Sequence, residues 1–284
     1  MVRRIIARLD IKGPNVIKGI HLEGLRVLGK PDFYAKYYYE NGADELLYMD
    51  VVASLYGRNS LHKIIEQTAK EIFIPLTVGG GLRSIEDIRS VLRAGADKVS
   101  INTAGIRNPK LIQEASRLFG SSTIAVSIEA IRQPYGGYLA FTDNGREYTG
   151  KEVVSWAEEV EALGAGEIIL TSIDKEGTGE GYDVTLVQQV SRKVHIPVVV
   201  CGGAGKKEHI EEGITKGEAD AVAMASILHY EAVEHYRKIV TDAYNEEEGN
   251  MDFLKSDKTY TKVTPTTIAE IKNYLRKKHI EVRY

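Results

Sequence analysis

The chain has 284 residues, 43% of them hydrophobic and 27% charged, which suits one large domain or two small ones of ordinary water-soluble composition. A net charge of −3 gives no electrostatic footing for nucleic acid, and no apolar run reaches the roughly 18 residues that span a membrane. The lone Cys201 excludes an internal disulfide and fits a reducing cytoplasm, and Met1-Val2-Arg3-Arg4 leads into strand rather than forming a signal peptide.

The first element is predicted over 4–10. Side chains alternate across a strand, so Arg4, Ile6, Arg8 and Asp10 share one face. A cation at the start, another in the middle and a carboxylate at the end suit a strand running from one mouth of a barrel to the other. Further strands are predicted at 45–50, 75–79, 98–102, 123–129, 167–172, 197–201 and 220–225, with amphipathic helices between them. Eight such alternations predict a parallel sheet closed as a single (β/α)8 barrel over 1–284. Ser84 with Asp87 three residues on reads as a helix N-terminus, and Gly42, Gly95 and Gly164 stand where helices stop. Residues 231–265 break the pattern and read as an insertion on the catalytic face, ahead of a closing helix from Thr266 to Lys278.

The chain also repeats itself. Asn41-Gly42-Ala43-Asp44-Glu45 matches Leu163-Gly164-Ala165-Gly166-Glu167, and Ile74-Pro75 through Gly79-Gly80-Gly81 matches Ile196-Pro197 through Cys201-Gly202-Gly203. Both matches have one offset (164 − 42 and 196 − 74 both give 122), which points to duplication of a half-barrel.

Chemistry gathers at strand ends. Gly80 and Gly81 close strand 3; Gly202 and Gly203 close strand 7. Glycine lets backbone N–H groups approach an anion, and a single such turn equally serves where φ must be positive. Repeated across the duplication, the pair reads as two phosphate cradles for an elongated substrate. Asn102, Thr103 and Ser226 supply side-chain donors after strands 4 and 8, and Thr171 and Gly177 join this substrate-binding set on strand 6 and beyond it. Asp10 and Glu129 end strands 1 and 5 on opposite sides of the mouth, placed for general acid and base work. Asp50 and Asp174, ending strands 2 and 6, read equally as orienting groups or as local turn acceptors. At the other mouth Arg4, Glu45, Lys98 and Glu167 start strands 1, 2, 4 and 6. By themselves they read as a stabilising ring of salt bridges.

These motifs resemble the cyclase subunit of imidazole glycerol phosphate synthase, a TIM barrel of histidine biosynthesis. The resemblance rests on Thr77-Val78-Gly79-Gly80-Gly81, Gly95-Ala96-Asp97-Lys98-Val99-Ser100-Ile101-Asn102-Thr103, Leu170-Thr171-Ser172-Ile173-Asp174 and Gly202-Gly203-Ala204-Gly205. It spans Arg4 to about Tyr230 and again Thr266 to Arg283. It implies a glutaminase partner docked at the N-terminal face and an ammonia gate of Arg4, Glu45, Lys98 and Glu167. It also implies a ribulosyl-aminoimidazole substrate with two phosphates, undergoing lyase and cyclisation steps. By the same resemblance Asp10 and Glu129 are the catalytic pair, Lys18 is a loop lysine over the active site and Asp97 faces the glutaminase. No cofactor or metal is implied.

This chain departs from the family where Glu129 replaces an aspartate and Arg8 a small residue, usually cysteine. Parity buries Arg8 beneath Asp10, where it needs Asp10 or Glu129 as partner, and pairing would weaken that carboxyl as a proton donor. The departures therefore predict weak or absent cyclase turnover. They also support an alternative: a paralogue that works with a glutaminase to deliver ammonia for sugar amidation in surface-polysaccharide synthesis. A third reading is a non-catalytic conduit that activates the glutaminase.

Overall fold

A computed structural model describes residues 2–21, 23–51, 61–239 and 262–283. Eight strands pair in parallel: β1 (Arg4–Lys12), β4 (Glu45–Asp50), β5 (Leu76–Gly79), β6 (Lys98–Ile101), β7 (Ile124–Arg132), β10 (Glu167–Ser172), β11 (Val198–Cys201) and β12 (Ala221–Met224). Pairing of β12 with β1 and of β7 with β10 closes the ring, so the fold is a (β/α)8 barrel.

Two strands run further than the sequence suggested. β1 continues to Lys12 and pairs antiparallel with β2 (Asn15–Ile20), which pairs with β3 (Glu23–Gly29). β7 continues to Arg132 and carries β8 (Tyr138–Thr142) and β9 (Glu147–Glu152) in the same way. Each half-barrel thus opens with a strand that rises above the rim as an antiparallel ribbon. The turn residues Gly136-Gly137 and Asp143-Asn144-Gly145 were a legible signal for the second ribbon.

Alternation along β1 sorts its side chains. Ile5, Ala7 and Leu9 pack outward among the helices, while Ile6 joins Leu47, Ala125, Ile169, Val199, Ala221 and Ala223 in a separate apolar cluster inside the barrel. Helix ends follow local chemistry. Ser84 and Asp87 form a reciprocal capping box on the helix Ile85–Ala94, which Gly95 ends in the left-handed conformation. Thr267 and Glu270 do the same for the last helix, Ile268–Lys277.

Strand starts are tied down by one recurring bond. Asp44, Asp97 and Asp220 each accept the backbone N–H that opens the neighbouring strand segment, from Ile5, Leu76 and Val198. The fourth equivalent is Gly166, where a Cβ would lie 2.2 Å from the Ser121 carbonyl oxygen, so no side chain fits. Residues 231–239 continue the helix that begins at Ser226, directly after β12. Most of the predicted insertion, 240–261, lies outside the described residues.

Candidate active site

At the N-terminal mouth the four charged strand-start residues meet. Arg4 Nη1 lies 2.8 Å from Glu45, and Arg4 Nη2 pairs with Glu167. Lys98 Nζ closes the ring at 3.0 Å from Glu45 and 3.1 Å from Glu167. Thr77 Oγ1 donates to Glu45 Oε1 at 2.5 Å, an oxygen that Lys98 Nζ also reaches at 3.1 Å. Both carboxylates are nearly buried, while the two cations keep some exposure, 17% and 19% of their side chains. Above the ring comes the apolar interior cluster, and above that Arg8.

Arg8 is 4% exposed. Its Nε donates to Asp10 Oδ1 at 2.8 Å, and its Nη1 reaches Thr171 Oγ1 at 3.2 Å and Cys201 Sγ at 3.1 Å. The guanidinium therefore extends from β1 to β10 and β11. Burial works against its charge, but Asp10, Cys201 and Glu176 together outweigh that and push the Arg8 guanidinium further up. Of the two partners parity allowed, Asp10 is the one bonded.

Glu129 is left in a different state. Its Oε2 accepts the Gly145 N–H at 3.0 Å. Burial pushes its carboxyl up to about 7, with Arg8 and the Gly145 N–H pulling the other way. The expected weakening by a bonded cation thus does not reach Glu129. A carboxyl that titrates near neutrality can both give and take a proton at working pH.

Glu129 lines a cavity of about 230 Å³ together with Arg8, Asp50, Gly80, Gly81, Asn102 and Thr103. Arg83 and Arg107 add positive charge to its wall, with Arg107 also paired to Asp143 at 2.9 Å. Gly80 and Gly81 both have positive φ, and a Cβ on Gly80 would sit 2.3 Å from the Asp50 carbonyl oxygen, so the turn itself requires glycine. Asn102 Oδ1 and Ser100 Oγ, both buried here, have no hydrogen-bond partner among the described residues.

The second cradle differs. Gly177, Gly202, Gly203 and Ser226 line a separate cleft of only about 10 Å³. Glu176, buried against it, pairs with Lys18, which is 3% exposed. His21 N–H reaches the Glu176 carbonyl at 2.9 Å, so the β2–β3 ribbon lies down over this side of the mouth. The two glycine cradles thus line separate clefts of unequal size, with the buried Lys18–Glu176 pair packed at the smaller one. The two clefts meet at the Arg8–Cys201 contact, since Arg8 lines the first and Cys201 the second.

The other candidates divide. Asp174 accepts the Arg132 N–H at 2.8 Å, a bond to the end of the neighbouring strand β7 rather than within its own turn. Asp97 is exposed at the N-terminal face and holds the Leu76 N–H at 2.8 Å, a structural task the sequence did not reveal. His229 was missed altogether. It is wholly buried, meets Tyr38 Oη at 2.6 Å, and is driven by burial, then by Lys18, down to about 3.

Among the described residues no helix is long and apolar enough to cross a membrane. Residues 4–234 match the model of a family described as histidine biosynthesis protein. The chain is 61% identical over 205 residues to imidazole glycerol phosphate synthase subunit HisF of Legionella pneumophila, covering 72% of this chain and 97% of that protein. It is 46% identical over 263 residues to the subunit of the same name from Methanocaldococcus jannaschii, covering 85% of this chain and 97% of that one.

Proposed function

The chain belongs to the histidine biosynthesis protein family and groups there with the imidazole glycerol phosphate synthase subunits HisF, and from that premise we propose that it acts as a cyclase-type subunit of such a synthase. A glutaminase partner docks at the N-terminal face and releases ammonia into the barrel. The Arg4–Glu45–Lys98–Glu167 ring gates its entry. A ribulosyl-aminoimidazole substrate with two phosphates lies across the C-terminal mouth, one phosphate at Gly80, Gly81, Asn102 and Thr103. The other lies at Gly177, Gly202, Gly203 and Ser226, with Lys18 and Thr171 beside it. Asp10 and Glu129 handle the protons of the lyase and cyclisation steps.

One observation carries this reading: a closed ionic ring, an apolar interior and a cavity holding a near-neutral carboxyl lie in that order through one barrel. An uncharged small molecule passing the ring meets the apolar cluster around Ile6 before Arg8. The test is production of imidazole glycerol phosphate by the purified chain from the bis-phosphate substrate, first with ammonium and then with glutaminase and glutamine. Absence of product in both would overturn it.

A second reading is favoured by the near-filled second cradle. Here the chain serves a synthase that amidates a sugar, and ammonia passes onward. Glutamine hydrolysis stimulated by the chain without cyclase turnover would select this alternative.

A further inference from the structure

A guanidinium has five N–H donors. In Arg8 the one on Nε goes to Asp10, and those on Nη1 serve Thr171 and Cys201. Nη2 makes no hydrogen bond to the described residues, yet it is not one of the polar atoms shut off from solvent. Arg8 is 4% exposed and lines the main cavity, so the accessible surface of Nη2 opens there. A buried charged donor left unmet by the protein is a place for a ligand atom.

The surroundings say which kind of atom. The Arg8 charge is already balanced by Asp10 at 2.8 Å, and Glu129 stands on the same cavity. A further anion at Nη2 would face both carboxyl groups. A neutral acceptor, a carbonyl oxygen, meets no such opposition. Elsewhere in the cavity Gly80 and Gly81 present a glycine turn suited to a phosphate. Together these describe a ketone that carries a phosphate.

We propose that Arg8 is a catalytic residue of this chain: its Nη2 hydrogen-bonds the carbonyl oxygen of a phosphorylated ketone in the main cavity and polarises that carbonyl for attack by ammonia. The assignment of the nucleophile rests on the function proposed above. Ammonia arriving through the apolar interior comes up beneath Arg8. The new C–N bond forms as the carbonyl π pair moves onto oxygen, where the guanidinium stabilises the developing negative charge. Protonated Glu129 gives its proton to that oxygen, and the nitrogen returns one to the Glu129 carboxylate, so the addition is balanced and Glu129 is restored. Arg8 itself transfers no proton.

The experiment uses dihydroxyacetone phosphate, labelled with ¹³C at the carbonyl, as a probe on the whole chain without glutaminase. Infrared difference spectra should show the bound carbonyl stretch moved to lower frequency. The probe should bind about tenfold or more tightly than glycerol phosphate, which lacks the carbonyl. Arg8→Met should abolish both the shift and the preference while inorganic phosphate still binds. Since Arg8→Met strands Asp10, the Arg8→Met/Asp10→Asn pair serves if the single variant does not fold. An unshifted carbonyl, failure of the probe to bind, or an equal shift in the variants overturns the assignment. Turnover of the bis-phosphate substrate with an unshifted carbonyl would remove Arg8 and leave the function. A shifted carbonyl without any turnover would do the reverse.

Discussion

Arg8 Nε sits 2.8 Å from Asp10 Oδ1, two positions along the same strand, and among the described residues no cation is bonded to Glu129. The two mouth carboxyls are therefore in unlike environments. Asp10 is bonded to a buried guanidinium. Among the described residues Glu129 is bonded to a backbone N–H alone, and it is raised by burial to about 7. A carboxyl raised by burial to near neutrality can give and take a proton at working pH.

Glu129 sets a pH dependence. Its folded value lies above the ordinary 4.5, so the native state holds a proton that the unfolded chain releases. The stability this contributes is complete below about 4.5 and is lost as pH rises to about 7, a total of about 3 kcal/mol. Urea titrations from pH 4 to 8 should show that slope, and Glu129→Gln should flatten it. The same variant should lower kcat by about 10²-fold or more. An unchanged kcat removes Glu129 from the proton-transfer role.

The Arg8–Asp10 pair should behave as a buried couple. Arg8→Met alone leaves an uncompensated carboxylate and should cost about 3–5 kcal/mol in chemical denaturation. Adding Asp10→Asn should recover most of that loss. Additive losses in the double-mutant cycle would show that the two are not coupled.

The ionic ring should govern the fate of ammonia under the proposed function. Arg4→Ala breaks two of the four contacts, those to Glu45 and Glu167. With glutaminase and glutamine, more glutamine should be hydrolysed per product formed, whereas turnover with added ammonium should change less than about twofold, the ring lying outside the reaction cavity. An unaltered ratio argues that the ring is structural only.

Two glycines with positive φ separate backbone strain from crowding. Gly42 has open space where a Cβ would lie, so Gly42→Ala should cost about 1 kcal/mol. At Gly203 a Cβ would fall 2.1 Å from the Gly181 carbonyl oxygen, and Gly203→Ala should cost about 3 kcal/mol or more. Equal losses in thermal unfolding would mean that the loop around Gly181 yields.

What the sequence determined by itself was whatever depends on short spacing. Alternation put Arg4, Ile6, Arg8 and Asp10 on one face of β1, because the period of a strand is two and no distant contact can change it. The Ser84–Asp87 capping box and the glycine stop at Gly95 are likewise three-residue and one-residue facts. The eight alternations and the common offset of 122 implied a closed barrel with its charged strand starts at one mouth. Only the tertiary structure decided what those side chains meet. Lys18 and Glu176 are 158 positions apart, and their buried pair packs beside the smaller of the two clefts. The long Arg8 side chain had two carboxylates within its possible reach, and the packing around Thr171 and Cys201 selected Asp10. The near-neutral carboxyl of Glu129 arises from burial, which is a property of everything folded around it and not of its neighbours in sequence.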